Sequence, residues 1–369
     1  MNMTNLILIL AVVFLSFNNG ANDIFKGVAT LYSSKTISYK SALVWAVLTT
    51  ISGSICSIFL VKSLLKNFSG KGLVPDELLL NPIFAISVVI GAALTIFFAT
   101  KIGMPVSTTH ALVGSLFGVG ILSVGLGFNF QKLADAFVVP LLASPLLASI
   151  FAVFFYYSFS SIRKKLGITK QSCICLIEDY NAKVTHNDFV SEIKIENELI
   201  VSSCDSTSEI YSKSIFGISS QKIVDFFHFI SAGAVGFARG LNDTPKIAGI
   251  LLLITSVNSS YFLYVVAIAM AVGGILNARK VANTMSNKIT TMNTGQGFTA
   301  NLVTSILVTT ASFNNLPVST THVSVGSIFG IGLVNKSADF KMILRIVLSW
   351  ILTLPIAAII SAIIFFVLK

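Results

Sequence analysis

The chain has 369 residues, 54% of them hydrophobic and 11% charged, with a mean hydropathy of +0.86. A soluble globular domain carries about 25% charged residues, so this composition excludes an ordinary soluble domain and points to a membrane protein. The net charge of +10 comes from basic residues that fall between apolar segments instead of clustering with aromatics, which excludes nucleic acid as the expected partner.

The four cysteines (Cys56, Cys173, Cys175 and Cys204) make no secretory disulfide framework, and no metal-ligand spacing accompanies them. The N-terminus, MNMTNLILIL, lacks a basic leader region and a clear small-residue cleavage pattern, so no cleaved signal peptide is expected. Residues 5–17 are apolar but stop short at NNGANDIFKG. A full span needs roughly 20 apolar residues, so this is a half-helix or a span carrying polar cargo. Residues 41–61 read as an ordinary span, followed by a Lys-containing loop, and residues 83–100 read as another. Residues 133–160 form a long apolar stretch, expected to tilt or kink at Pro140 and Pro145.

From Arg163 to Lys222 the character changes: eight of the 15 acidic residues lie here, with hardly any long apolar run. Arg163, Lys164 and Lys165 directly follow a span, which puts this polar insert on the cytoplasmic side by the positive-inside rule. The second half then repeats the plan. Apolar residues 223–238 end at ARGLNDTPKIAG, a short apolar run follows at 247–254, and 261–276 make a span. Residues 279–288 read as a polar loop, 297–313 lead into a second hairpin, and 342–368 close the chain. The expected fold is an all-α polytopic membrane protein. Two repeats (1–160 and 223–369), with an inverted relation and interrupted helices, are expected around a polar loop at 161–222.

The duplication is densest at PVSTTHALVGSLFGVG (105–120) and PVSTTHVSVGSIFGIG (317–332), which agree at 12 of 16 positions. Pro breaks the incoming helix and leaves backbone groups free. Each element therefore reads as part of a re-entrant hairpin, too short and Gly-rich for a crossing of its own, and tolerated only where protein or a wet cavity covers it. Free amides and the neighbouring hydroxyls could replace the hydration shell of an anion. The plainer reading is helix capping by Ser or Thr after a Pro-broken turn. His110 and His322 follow the hydroxyls; each is either a satisfied core histidine or a group able to carry protons.

Among the acidic residues, only Asp23 and Asp243 are flanked on both sides by membrane-type sequence. Each follows an Asn (Asn22, Asn242) and precedes a Lys by three residues (Lys26, Lys246). A carboxylate at membrane depth costs several kcal/mol unless paired, so two at repeat-related positions argue for function. Structural ion pairs with the following Lys are the plainer account.

These stretches resemble the inorganic phosphate transporters of the PiT type. The likeness rests on GAND at Gly20–Asp23, its GLND variant at Gly240–Asp243, the two PVSTTH elements, and ARKVANTMSNKITTMNTGQGF at 278–298. It covers most of both halves but not the polar insert. The resemblance implies a multi-pass protein of the plasma (inner) membrane, with inverted repeats, broken helices and hairpins meeting near the bilayer midplane. It further implies that Asn22, Asp23, Asn242 and Asp243 bind the coupling cation, and that Ser107, Thr108, Thr109, Ser319, Thr320 and Thr321 hold phosphate. One departure stands out: the family often has Asn three residues after the Asp, where this chain has Lys26 and Lys246. As charge substitutes, these lysines would reduce the number of coupled Na⁺ or leave H⁺ as the coupling ion.

The expected function is secondary active import of inorganic phosphate by alternating access, coupled to a Na⁺ or H⁺ gradient. The runner-up cargo is sulfate or another tetrahedral oxyanion. An intramembrane hydrolase is disfavoured, since neither a nucleophile elbow nor an HExxH pattern is present. A channel fits paired sites less well than alternating access does. Expected partners are phosphate, the coupling cation, membrane lipid and further copies of the chain; no cofactor is expected beyond bound Na⁺.

Overall fold

The computed structural model describes residues 3–60, 68–172, 209–212, 214–215, 218–253 and 259–369. Most of the polar insert, with Cys173, Cys175 and Cys204, lies outside the described residues, as do Lys62 and Lys66. Among the described residues the fold is helical apart from two short antiparallel ribbons at the edges of the insert, 169–172 with 209–212 and 214–215 with 218–219.

Among the described residues, ten long helices carry the structure. In the first half they are α1 (Met3–Asp23), α2 (Tyr39–Leu60), α3 (Pro82–Lys101), α4 (Thr108–Val124) and α5 (Val139–Lys165). In the second half they are α6 (Ser220–Ala248), α7 (Ser259–Asn277), α8 (Thr294–Phe313), α9 (Thr320–Asn335) and α10 (Phe340–Leu368). The packing follows the repeat. Helix α1 lies on α3 and α7, and its counterpart α6 lies on α8 and α2. Helix α4 lies on α3 and α10, and its counterpart α9 lies on α8 and α5. Each half thus lends helices to the other, and the two interlock.

The duplicated glycines explain how closely they do so. Gly114 and Gly118 of α4 press against the backbone of Leu354 and Ala358 in α10. Gly326 and Gly330 of α9 press in the same way on Pro145 and Ser149 of α5. A Cβ at any of the four would overlap the partner helix, which is the use small residues four apart have between membrane helices.

Outward faces of α5 and α10 carry bare Leu, Ile and Phe, for example Leu146, Ile150 and Phe154 on α5 and Ile351, Ile359 and Phe366 on α10. Apolar surface this extensive needs lipid or a partner to cover it. Among the described residues, five helical segments are long and apolar enough to cross a membrane: 3–27, 82–101, 108–127, 130–165 and 340–368. Residues 261–277 with 279–288 form a sixth candidate, bent by 68°.

Three local expectations change. Residues 279–288 are helical instead of a loop, first Arg279–Asn283 and then a wider turn over Thr284–Lys288. The stretch contains neither Gly nor Pro, and burial of Val281, Ala282 and Met285 in the second core holds it there. The PVSTTH arm is longer than its glycines suggest, because helix and turn together run from Thr108 to Gly127. Finally, α1 ends at Asp23 and gives way to a tight 3-10 turn over Ile24–Gly27, whereas α6 runs unbroken through Asp243 and Pro245 to Ala248. The second interruption comes later, at Gly249–Leu253. Pro in a helix forfeits only its own hydrogen bond when neighbouring groups cover the freed carbonyl.

Candidate functional site

Helices α3 and α4 form one hairpin, α8 and α9 the other, and the two tips meet inside the bundle. The contact is reciprocal: Thr109 Oγ1 donates to the Val318 carbonyl at 3.4 Å, and Thr321 Oγ1 donates to the Val106 carbonyl at 2.8 Å. Ser107 and Ser319 cap α4 and α9, accepting from His110 N at 3.1 Å and His322 N at 3.3 Å. The capping reading therefore holds for both serines. A capping hydroxyl accepts through a lone pair and keeps its proton to donate, so capping leaves it free to serve an anion as well.

The two Asn-Asp motifs reach these tips. Asn22 grips the first hairpin, its Nδ2 donating to Thr100 Oγ1 at 2.9 Å and to the Met104 carbonyl at 3.0 Å, while its Oδ1 accepts from Val106 N at 3.1 Å. Asn242 grips the second, donating to the Val318 carbonyl at 3.3 Å and accepting from Ser312 Oγ at 3.2 Å. Asp23 Oδ2 accepts from Thr108 Oγ1 at 3.3 Å. Asp23 and Asp243 converge: the single Asn19 Nδ2 lies 3.2 Å from Asp23 Oδ2, 3.4 Å from Asp243 Oδ2 and 2.8 Å from Thr108 Oγ1. Thr320, the counterpart of Thr108, is also buried and likewise begins its helix.

Both lysines point into this cluster and are fully buried. Lys26 Nζ pairs with Asp23 and contacts Thr321 Oγ1, Asn22 Oδ1 at 3.2 Å and the Val106 carbonyl at 3.0 Å. Lys246 Nζ lies 3.5 Å from Asp243 Oδ1, donates to Thr109 Oγ1 at 3.1 Å, and donates to the Val318 carbonyl. Each ammonium therefore joins its own repeat's carboxylate to a Val carbonyl on one hairpin and a Thr hydroxyl on the other.

Two residues of the cluster escaped the sequence reading. Asn19 is the amide that joins the carboxylates. Arg239, also buried, has Nε 3.6 Å from Asp243 Oδ2, and its Nη2 donates to Asn19 Oδ1 at 2.5 Å. The signal was available in ARGLND, a basic residue one helical turn before an intramembrane Asp. With two carboxylates facing Lys26, Lys246 and Arg239, the cluster carries one net positive charge. It can neutralise an anion and offer hydroxyl donors beside carboxylate acceptors, which suits an oxyanion bearing a proton.

His110 and His322 face each other across the hairpins with ring centroids 4.5 Å apart, and His322 stacks on Trp350 at 3.9 Å. His322 Nδ1 lies 3.1 Å from the Leu141 carbonyl, and Trp350 Nε1 donates to the Pro105 carbonyl at 3.1 Å. They act first as an aromatic brace beneath the tips.

A cavity of about 970 Å³ opens beside the cluster. Thr100 lines it and also holds Asn22. Lys40, Lys101, Arg279 and Lys280 line it too, with no acidic residue among the lining side chains. Such a basic vestibule concentrates anions.

A solved structure described as the sodium-dependent phosphate transporter superposes on the chain with a TM-score of 0.77, covering 100% of this chain and 99% of its own at 22% identity; this shows the fold. A Haemophilus influenzae protein named as a phosphate permease is 28% identical over 96% of this chain and 94% of its own length. A Bacillus subtilis protein named as a low-affinity inorganic phosphate transporter is 26% identical over 100% and 97%. The profile of the phosphate transporter family matches residues 19–361, and the chain belongs to that family.

Proposed function

We propose that the protein imports inorganic phosphate by alternating access, coupled to a cation gradient, with the anion held between the two hairpin tips. Family membership already makes it a multi-pass membrane transporter of phosphate and not an enzyme. The observation that carries the finer reading is the convergence of both PVSTTH tips and both Asn-Asp motifs on one buried cluster, joined by Asn19. In this reading Ser107, Thr108 and Thr109 face Ser319, Thr320 and Thr321 across the phosphate. Asn22, Asp23, Asn242 and Asp243 form the coupling side. The exchanged packing of α1 on α7 and α6 on α2 supports two inverted repeats that rock against each other about the site.

Sulfate is the competing cargo. A phosphate that retains a proton can donate to a carboxylate, whereas fully ionised sulfate cannot, and Asp23 Oδ2 stands beside Thr108 as an acceptor. Radiolabelled phosphate uptake into proteoliposomes, with unlabelled arsenate and sulfate as competitors, tests the reading. Arsenate should compete and sulfate should not. Equal competition by sulfate would shift the assignment to oxyanions in general.

A further inference from the structure

We propose that Lys26 and Lys246 are tethered counter-cations standing in the two seats that a coupling Na⁺ would take, so that this chain moves phosphate without sodium. The proposal rests on the phosphate-transport reading above.

The argument starts from what surrounds each ammonium. A Na⁺ seat in a transporter is built from carboxylate, amide, hydroxyl and unwound backbone carbonyl oxygens. Lys26 Nζ is surrounded by that set: Asp23, Asn22 Oδ1, the Val106 carbonyl and Thr321 Oγ1. Lys246 Nζ has Asp243, the Val318 carbonyl and Thr109 Oγ1. An ammonium has three protons to donate, and the oxygens around each Nζ are enough to accept all three, so each seat already holds a cation. A Na⁺ placed among the same oxygens would lie against a buried like charge, in a setting where water cannot screen the repulsion.

The arrangement occurs twice, at matching positions of the repeat, so it is a property of the site and not of one side chain. Charge balance points the same way. The two carboxylates and the guanidinium of Arg239 alone would leave one net negative charge, and an arriving anion would need mobile cations with it. The lysines turn that into one net positive charge, which a phosphate monoanion neutralises. Two further Na⁺ would leave the loaded site strongly positive in a low-dielectric interior. A tethered charge also cannot be released on the far side, so the sodium gradient has no handle on these seats.

The test uses the purified full-length protein. Phosphate–phosphate exchange in proteoliposomes is measured with Na⁺ or choline as the only monovalent cation, and binding of radiolabelled Na⁺ is measured in detergent. The expected results are equal exchange in both media and no saturable Na⁺ binding. Exchange that falls about tenfold or more in choline, or saturable Na⁺ binding by the wild type, would overturn the proposal. Lys26→Asn/Lys246→Asn should gain saturable Na⁺ binding; a folded double variant that gains none would also overturn it. Absence of exchange in both media would remove the phosphate reading instead, and the Na⁺ binding measurement then decides the cation question by itself.

Discussion

Arg239 and Asn19 occupy equivalent positions in the two repeats, four residues before Asp243 and Asp23, and they are bonded to each other, Arg239 Nη2 donating to Asn19 Oδ1 at 2.5 Å. The halves therefore meet at a matched position whose two side chains differ. One is an amide that gathers both carboxylates, the other a guanidinium that supplies the charge in excess of theirs. The site is two-fold in its scaffold and asymmetric in its charge.

Arg239→Gln should leave Asp243 with Lys246 as its remaining cationic partner and remove the net positive charge. A hydrogen bond to a charged group contributes about 1.5–3 kcal/mol, so apparent phosphate affinity should fall roughly ten- to a hundredfold. Arg239→Lys restores charge without the fork and should fall between the two. Concentration-dependent uptake rates measure this, and equal rates for Arg239→Gln and wild type would remove Arg239 from the site.

The Asp23–Lys26 pair is open to a double-mutant cycle. Asp23→Asn strands a buried ammonium, which costs about 3–5 kcal/mol in stability, whereas Asp23→Asn/Lys26→Asn removes both charges and should recover most of that loss. Thermal unfolding in detergent reports the stability; in uptake assays Asp23→Asn and Asp243→Asn should each abolish concentrative transport. A double variant less stable than Asp23→Asn would show that the two side chains do not stabilise each other.

Much of this site was legible because two independent signals coincide. A carboxylate between apolar runs is costly enough to demand a reason, and a motif repeated at 12 of 16 positions marks the elements that must meet it. Arg239 and Asn19 were obscured because neither repeat alone shows them as unusual; aligning NGAND on RGLND sets them opposite each other. Residues 279–288 were misread because their polarity signals a loop, while their buried face of Val281, Ala282 and Met285 becomes evident only once α7 bends into them. The later break in α6 was hidden by Pro245, which marks a helix end in water but is tolerated among packed helices.

The glycine contacts predict a stability effect remote from the charges. Gly118→Ala on α4 places a methyl group against the Ala358 backbone of α10, and Gly330→Ala does the same against Ser149 of α5. Overpacking of this kind costs about 1–3 kcal/mol. Gly127→Ala, where the nearest atom is the Val124 Cβ at 3.7 Å, should change stability by less than about 0.5 kcal/mol. Thermal unfolding of the three variants in one detergent gives the comparison, and equal melting temperatures would mean that α4 and α10 can separate at no cost.

The vestibule predicts a kinetic signature distinct from all of these. Lys101 and Arg279 line the cavity beside Thr100, which in turn holds Asn22, so their charge acts on an approaching anion before it reaches the hairpin tips. Both side chains are solvent-exposed, so their field is screened by salt over about 10 Å at 0.1 M ionic strength. Lys101→Glu and Arg279→Glu should raise KM several-fold at low salt, leave the maximal rate nearly unchanged, and converge on wild-type behaviour as ionic strength rises. Initial uptake rates across a series of choline chloride concentrations test this. A KM that stays raised at high salt would place these side chains in direct contact with the bound anion, and an unchanged KM at low salt would mean that phosphate reaches the tips by another route.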